Sequence, residues 1–171
     1  MLTQTHTGWR FPTLEDKDAE GENVIPDPVP GHEKYTHLRD VYLSVDPSYS
    51  GRFTVPVLFD KKSQTIVNNE SSEILRMLNT VFNAHLPDEF ASVDLYPENL
   101  RKDIDDAGEW TYDKINNGVY KSGFATTQEA YEKNVRALFE AMDRVEEVLR
   151  EAEGKGKFFF GDVLTETDIR L

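Results

Sequence analysis

Two short stretches carry residue types and spacings suited to binding chemistry, Val55-Pro56 and Asn69-Glu70-Ser71-Ser72. The second stands where an apolar helical period begins. Free N–H groups and the macrodipole at a helix start attract a carboxylate, and a serine hydroxyl adds a further donor. Glu70 beside them could accept an ammonium group. A carboxylate receptor next to an ammonium receptor suits the α-amino-acid end of a ligand. The same residue types are also good helix caps, which is their commonest use. Val55-Pro56 falls inside an apolar run that reads as a strand. A proline there removes a ladder donor and belongs at an edge or a special bend. If its peptide bond is cis, the N–H and C=O of Val55 can turn outward to pair with an extended ligand. A plain edge proline is the alternative.

Other candidate motifs fail on spacing. His32 and His37 are five residues apart, about 140° off on a helix of ~3.6 residues per turn, whereas a metalloprotease pair needs four. They read as two solvated loop histidines, and no metal site is expected. Gly154-Lys155-Gly156-Lys157 lacks the glycine spacing and the following Ser or Thr of a phosphate loop, and reads as a helix stop. Most of the carboxylates stand at helical spacing from Lys or Arg, as in Glu98/Lys102 and Glu140/Arg144, and read as solvated faces. No Ser/His/Asp set stands out among four histidines.

The elements that must position these residues follow from pattern. Residues 12–34 are acidic, broken by Pro and Gly, and read as a long exposed loop. Tyr35, Leu38, Val41 and Tyr42 share one helical face, which predicts a helix over 35–45. Phe53 to Phe59 reads as a strand, 60–63 as a turn and 65–67 as a second strand, together a hairpin. The helix after Asn69 puts Ile74, Leu75, Leu78, Val81 and Phe82 on one stripe. Residues 83–97 read as a linker between a domain over 1–82 and a helical domain over 98–171. In the latter, Glu98 to Asn116 predicts one helix and Thr126 to Glu151 another. Tyr131, Val135, Leu138, Met142, Val145 and Leu149 form a stripe that reads as core, and Thr126 with Glu129 reads as a capping box. Gly154 and Gly156 stop that helix. Thr165 and Asp168 have the spacing of a last N-cap.

Bulk properties narrow the function. A net charge of −13 over 171 residues repels phosphate, so nucleic acid and anionic membrane surfaces are not expected partners. Any anion site has to be local. No apolar run approaches the ~20 residues of a membrane span, and no signal peptide opens the chain. The chain has no cysteine, which excludes disulfides, thiolate metal sites and a cysteine nucleophile of its own, and fits a cytoplasmic protein.

The order of Val-Pro strand, hairpin, Glu-Ser helix start and helical second half resembles the glutathione transferases. RFTVPVLFDKKSQTIVNNESSEILRMLN, DLYPENLRKDID, INNGVYKSGFATTQEAYE and FFGDVLTETDIRL together closely resemble a narrower group. That group is the glutathionyl-hydroquinone reductases, the Xi class, relatives of the Omega class, here in fungal wording. The likeness runs from about Gly8 to the end and is weakest in the acidic loop.

The resemblance implies an α+β fold, a thioredoxin-like N-terminal domain followed by an all-helical C-terminal domain. It implies glutathione as co-substrate, quinone-type small molecules as partners and a homodimer. Residue by residue, Val55 would pair through its backbone with the cysteinyl unit of glutathione beside cis-Pro56. Glu70 and Ser71 would hold the γ-glutamyl end. Tyr96 and Tyr120 would line a hydroquinone pocket as phenols that bond a quinone oxygen and assist proton transfer; ordinary packing with a wet hydroxyl is the alternative.

One departure matters. Members of the group use a nucleophilic cysteine in a Cys-Pro-Trp motif, which takes up glutathione as a mixed disulfide that a second glutathione resolves. No such motif is present. The resemblance therefore implies a sequence truncated at both ends, inactive by itself and poorly stable. A non-catalytic module that keeps the architecture for binding or for protein contacts is the alternative. Phe59 also stands where the family commonly has tryptophan.

Overall fold

The computed structural model describes residues 3–5, 8–12, 31–152, 154 and 156–171. Most of the expected acidic loop, residues 13–30, lies outside them. The chain divides into two compact units, residues 1–74 and 75–171.

In the first unit, β1 (Thr3–Thr5) pairs antiparallel with β2 (Gly8–Arg10), Thr3 facing Arg10 and Thr5 facing Gly8. Helix α1 (Leu38–Val45) starts one turn later than the apolar period suggests. His37 takes the N-cap, and Asp40 Oδ2 accepts from the backbone N–H groups of Thr36 and His37, both at 2.9 Å. A carboxylate there suits the helix dipole. The helix ends at Asp46, ahead of Pro47, where Asp46 Oδ1 accepts from Ser48 N at 2.9 Å. Leu38, Val41 and Tyr42 point inward as their spacing requires.

The hairpin forms with β3 (Leu58–Asp60) antiparallel to β4 (Thr65–Asn68). The first strand is shorter than its apolar run. Residues 53–57 stay outside the ladder, because Pro56 has no N–H to contribute and pairing starts only beyond it. Asp60 organises the turn, accepting from Lys62 N at 2.8 Å and from the Ser63 hydroxyl at 2.5 Å. His32 is buried, which corrects the solvated reading. Its ring lies 4.3 Å from that of Tyr35 and 5.3 Å from that of Phe59. An imidazole can cover an aromatic edge as well as face water, and its spacing cannot show which.

Helix α2 (Ser71–Thr80) contains the division between the units. The second unit is helical. A short helix α3 (Asp88–Ala91) interrupts the segment expected as linker. A 3-10 turn at Glu98–Leu100 leads into α4 (Arg101–Thr111), and a π-helical turn at Tyr112–Asn116 passes the chain to α5 (Asn117–Gly123). What the sequence presents as one helix is thus three kinds of helical turn in succession. Helix α5 packs against α6 (Gln128–Glu151) at Gly118, where a Cβ would meet the Leu138 side chain at an ordinary contact distance of 3.6 Å.

Several expectations about α6 are corrected. Its N-cap is Thr127, not Thr126, with the Thr127 hydroxyl accepting from Ala130 N at 3.2 Å. Along its stripe only Leu138 is buried, joined by Ala141, while Tyr131, Met142 and Leu149 are exposed. A helix of 24 residues presents more apolar face than α5 and its neighbouring turn cover. The expected ion pairs also re-sort. Lys102 pairs with Asp106 rather than Glu98, and Arg144 lies over the Trp110 ring at 4.1 Å rather than against Glu140.

Helix α7 (Glu166–Arg170) is capped as its spacing predicts, with Asp168 Oδ2 accepting from Thr165 N at 2.9 Å. The other carboxylate oxygen accepts from Phe159 N at 2.7 Å, tying the preceding turn to the cap. Ile104, Ala107 and Phe159 form the apolar centre of this unit.

Candidate functional site

Val55, Pro56, Glu70 and Ser71 all belong to the first unit. The Val55-Pro56 peptide is cis. Val55 is exposed, and among the described residues no hydrogen bond reaches its backbone. The residue before it is held firmly. The Tyr42 hydroxyl, buried on α1, donates to the Thr54 carbonyl at 2.7 Å.

Glu70 is the residue just ahead of α2, and its carbonyl accepts from Ile74 N at 2.9 Å. Its backbone N–H donates to Asn68 Oδ1 at 2.7 Å. Its carboxylate folds over the helix mouth, with Oε1 3.4 Å from Ser72 N, 3.3 Å from the Ser72 hydroxyl and 3.5 Å from the Ser71 hydroxyl. These are long contacts, at the weak end for hydrogen bonds. Glu70 therefore caps the helix loosely while staying exposed to solvent. A ligand carboxylate arriving at the same N–H groups would displace only weak bonds and leave Glu70 to face an ammonium.

Sequence reasoning missed Tyr42 here and, having named Asn69 in the candidate stretch, did not show what it bonds. Asn69 Nδ2 donates to the Tyr42 hydroxyl at 3.1 Å and stands 3.5 Å from Thr54 Oγ1. Tyr42 was visible only as part of an apolar stripe. The signal it carried is that a buried phenol must find a partner.

Tyr96 and Tyr120 belong to the second unit, and no ring contact or hydrogen bond joins them among the described residues. The Tyr96 hydroxyl donates to Asp105 Oδ2 at 2.6 Å, and the Arg76 guanidinium lies 3.9 Å above its ring. The Asp105 carboxylate that accepts its hydrogen pushes the Tyr96 phenol above its ordinary range. The same bond, with help from Arg76, lowers Asp105. Arg76 continues to the buried Glu166, Nε to Oε2 at 2.9 Å and Nη2 to Oε1 at 2.8 Å. Tyr96 is thus the end of a charged chain, Glu166–Arg76–Asp105–Tyr96, that links α7 to α4. Tyr120 is in a different setting. It is exposed and stacks on Phe124, rings 6.3 Å apart and 10° from parallel.

A cleft of about 240 Å³ lies elsewhere in this unit, lined by Trp110, Phe159, Phe160, Asp103, Arg144 and Val148, and contains none of the predicted site residues. Among the described residues no group of three or more His, Cys, Asp or Glu could hold a metal ion. Among the same residues no helix is long and apolar enough to cross a membrane.

Comparison with known proteins supplies the lineage. Over 165 residues, 96% of this chain, the sequence is 52% identical to the glutathione S-transferase omega-like 2 of Schizosaccharomyces pombe. The crystal structure of glutathione transferase Xi 1 from Trametes versicolor superposes with a TM-score of 0.84 at 52% identity, over 96% of this chain and 52% of that one. The chain belongs to the Xi-class glutathione transferases. Its fold accordingly is α+β, thioredoxin-like in the N-terminal part and helical in the C-terminal part. The glutathione-bound structure of YqjG, a glutathione transferase homolog from Escherichia coli, superposes with a TM-score of 0.83 at 44% identity, covering 98% of this chain and 50% of that one. By sequence, YqjG, named a glutathionyl-hydroquinone reductase, is 52% identical over 134 residues, 78% of this chain and 39% of that protein. The chain spans about half the length of the curated relatives it matches, 49% of the Schizosaccharomyces pombe protein. No protein-family model matches it.

Proposed function

We propose that this chain holds glutathione along Val55 and at the start of α2, within a protein that reduces glutathionyl-hydroquinones. The cysteinyl unit pairs with the free Val55 backbone beside Pro56. The γ-glutamyl carboxylate takes the N–H groups and hydroxyls at Ser71 and Ser72, and its ammonium faces Glu70. The observation that carries this reading is the loose hold of Glu70 on the mouth of α2, at 3.3–3.5 Å, in a chain 52% identical to glutathione transferase Xi 1 from Trametes versicolor. The glutathione carried by YqjG, at 44% identity to this chain, supports the choice of ligand.

The whole-protein reaction is a two-electron reduction by two thiols. A thiolate attacks the glutathionyl sulfur, the carbon–sulfur bond to the ring breaks, the ring carbon takes a proton and a disulfide forms. A second thiolate then resolves that disulfide. This chain has no cysteine, so it supplies neither the nucleophile nor its resolution, and its own share is binding. Tyr96 and Tyr120 are proposed contacts for the quinone oxygens. Tyr96 donates to such an oxygen only by giving up its bond to Asp105, while its lone pairs remain open to a hydroquinone hydroxyl. The same family reading carries a homodimer in the cytoplasm.

Calorimetric titration of the 171-residue chain with glutathione tests the binding reading. The expected result is saturable binding that Glu70→Ala weakens at least tenfold, the order of one charge-assisted bond at ~1.5–3 kcal/mol. Absence of binding, or binding indifferent to Glu70, overturns it.

A further inference from the structure

We propose that Tyr42 and Asn69 are positioning residues that set the span between Val55 and Glu70, and so match the site to a ligand as long as a tripeptide. The inference rests on the glutathione reading above.

The two halves of the proposed site are separated by the hairpin. Thr54, just before Val55, and Asn69, just before Glu70, are 15 residues apart. The ladder between them is irregular. It shifts register between Leu58 and Phe59, and Val55 lies outside it. The hairpin alone therefore leaves their separation loosely defined. One buried phenol closes it. Tyr42 Oη donates to Thr54 O at 2.7 Å and accepts from Asn69 Nδ2 at 3.1 Å, and Asn69 Nδ2 approaches Thr54 Oγ1 at 3.5 Å.

Tyr42 itself is well anchored, since its ring packs at 5.0 Å from Tyr49 and 5.6 Å from Phe53. A rigid α1 side chain thus joins the residue before each binding half. Neither Tyr42 nor Asn69 has to touch the ligand for this to matter. A ligand that bridges two subsites gains from their fixed spacing, because the second contact forms without further ordering. A ligand that fills one subsite gains nothing from it.

That difference separates positioning from plain stability. Glutathione is titrated calorimetrically into the 171-residue chain and its Tyr42→Phe and Asn69→Ala variants. Free glutamate and cysteinylglycine, each filling one half, are titrated by NMR. Circular dichroism verifies folding. Both variants are expected to bind glutathione roughly three- to tenfold more weakly, the scale of one hydrogen bond, with the two fragments bound as by the parent chain. Asn69→Ala alters an exposed side chain and leaves the Tyr42–Thr54 bond in place, so it carries the test if Tyr42→Phe does not fold. Variants that bind glutathione like the parent, or that lose all three ligands alike, overturn the inference while leaving the glutathione site intact. A parent chain that binds no glutathione overturns the underlying reading, and this inference with it.

Discussion

Arg76 grips Glu166 through two hydrogen bonds, at 2.9 and 2.8 Å, and Glu166 is only 1% exposed. A buried carboxylate is tolerated because a guanidinium matches its fork geometry and its charge. Glu166 N also donates to Leu95 O at 2.8 Å, so the residue ties the start of α7 to the segment before α4. Removing the cation leaves a buried charge without its main partner. Arg76→Ala should cost about 2–3 kcal/mol in urea unfolding, below the ~3–5 kcal/mol of a fully buried pair. The Arg76 side chain is 40% exposed, and Arg170 stays within 3.3 Å of Glu166. A loss under about 0.5 kcal/mol, the scale of an exposed pair, contradicts this account.

The Tyr96–Asp105 bond gives a pH signature. Tyr96 is raised by the carboxylate that accepts its hydrogen, and Asp105 is lowered by the same bond. A raised phenol stabilises the fold below its unfolded value of about 10, and that contribution disappears as pH climbs through the folded value. A depressed carboxylate stabilises above about 3.9, and its contribution disappears as pH drops through the folded value. Asp105→Asn should bring the Tyr96 titration down in pH. Ultraviolet difference titration reads this, with Tyr96→Phe subtracted to isolate one phenol among seven tyrosines. An unmoved titration refutes the coupling.

Two adjacent threonines separate sequence pattern from structure. Thr127→Ala removes the hydroxyl that accepts from Ala130 N and should cost about 1 kcal/mol, as N-caps do. Thr126→Ala should change stability by less than about 0.5 kcal/mol. Thermal unfolding of the pair decides it, and a reversed order returns the cap to Thr126.

Ile104 and Phe124 are both large apolar residues that a core could take, and the structure separates them. Ile104 is 1% exposed and Phe124 75%. Ile104→Ala should cost about 2–5 kcal/mol through lost burial and a cavity, and Phe124→Ala less than about 0.5 kcal/mol. Comparable losses in denaturant titrations would show that something covers Phe124 in solution.

Much of this protein was determined within short windows of its sequence. The hairpin around Asp60, the start of α2 after Glu70 and the cap at Thr165 each depend on groups a few residues apart, so their chemistry is legible in order along the chain. The family is legible for the same reason, because phrases such as NNESSEI are local. Other features were decided only by the tertiary structure. His32 is covered by Tyr35 and Phe59, and the stripe of α6 is half open. Tyr42 joins Thr54 to Asn69, and Arg76 reaches Glu166 across 90 residues. Burial and hydrogen bonding at such positions depend on which surfaces meet in space, and residue types and spacing carry no record of that meeting.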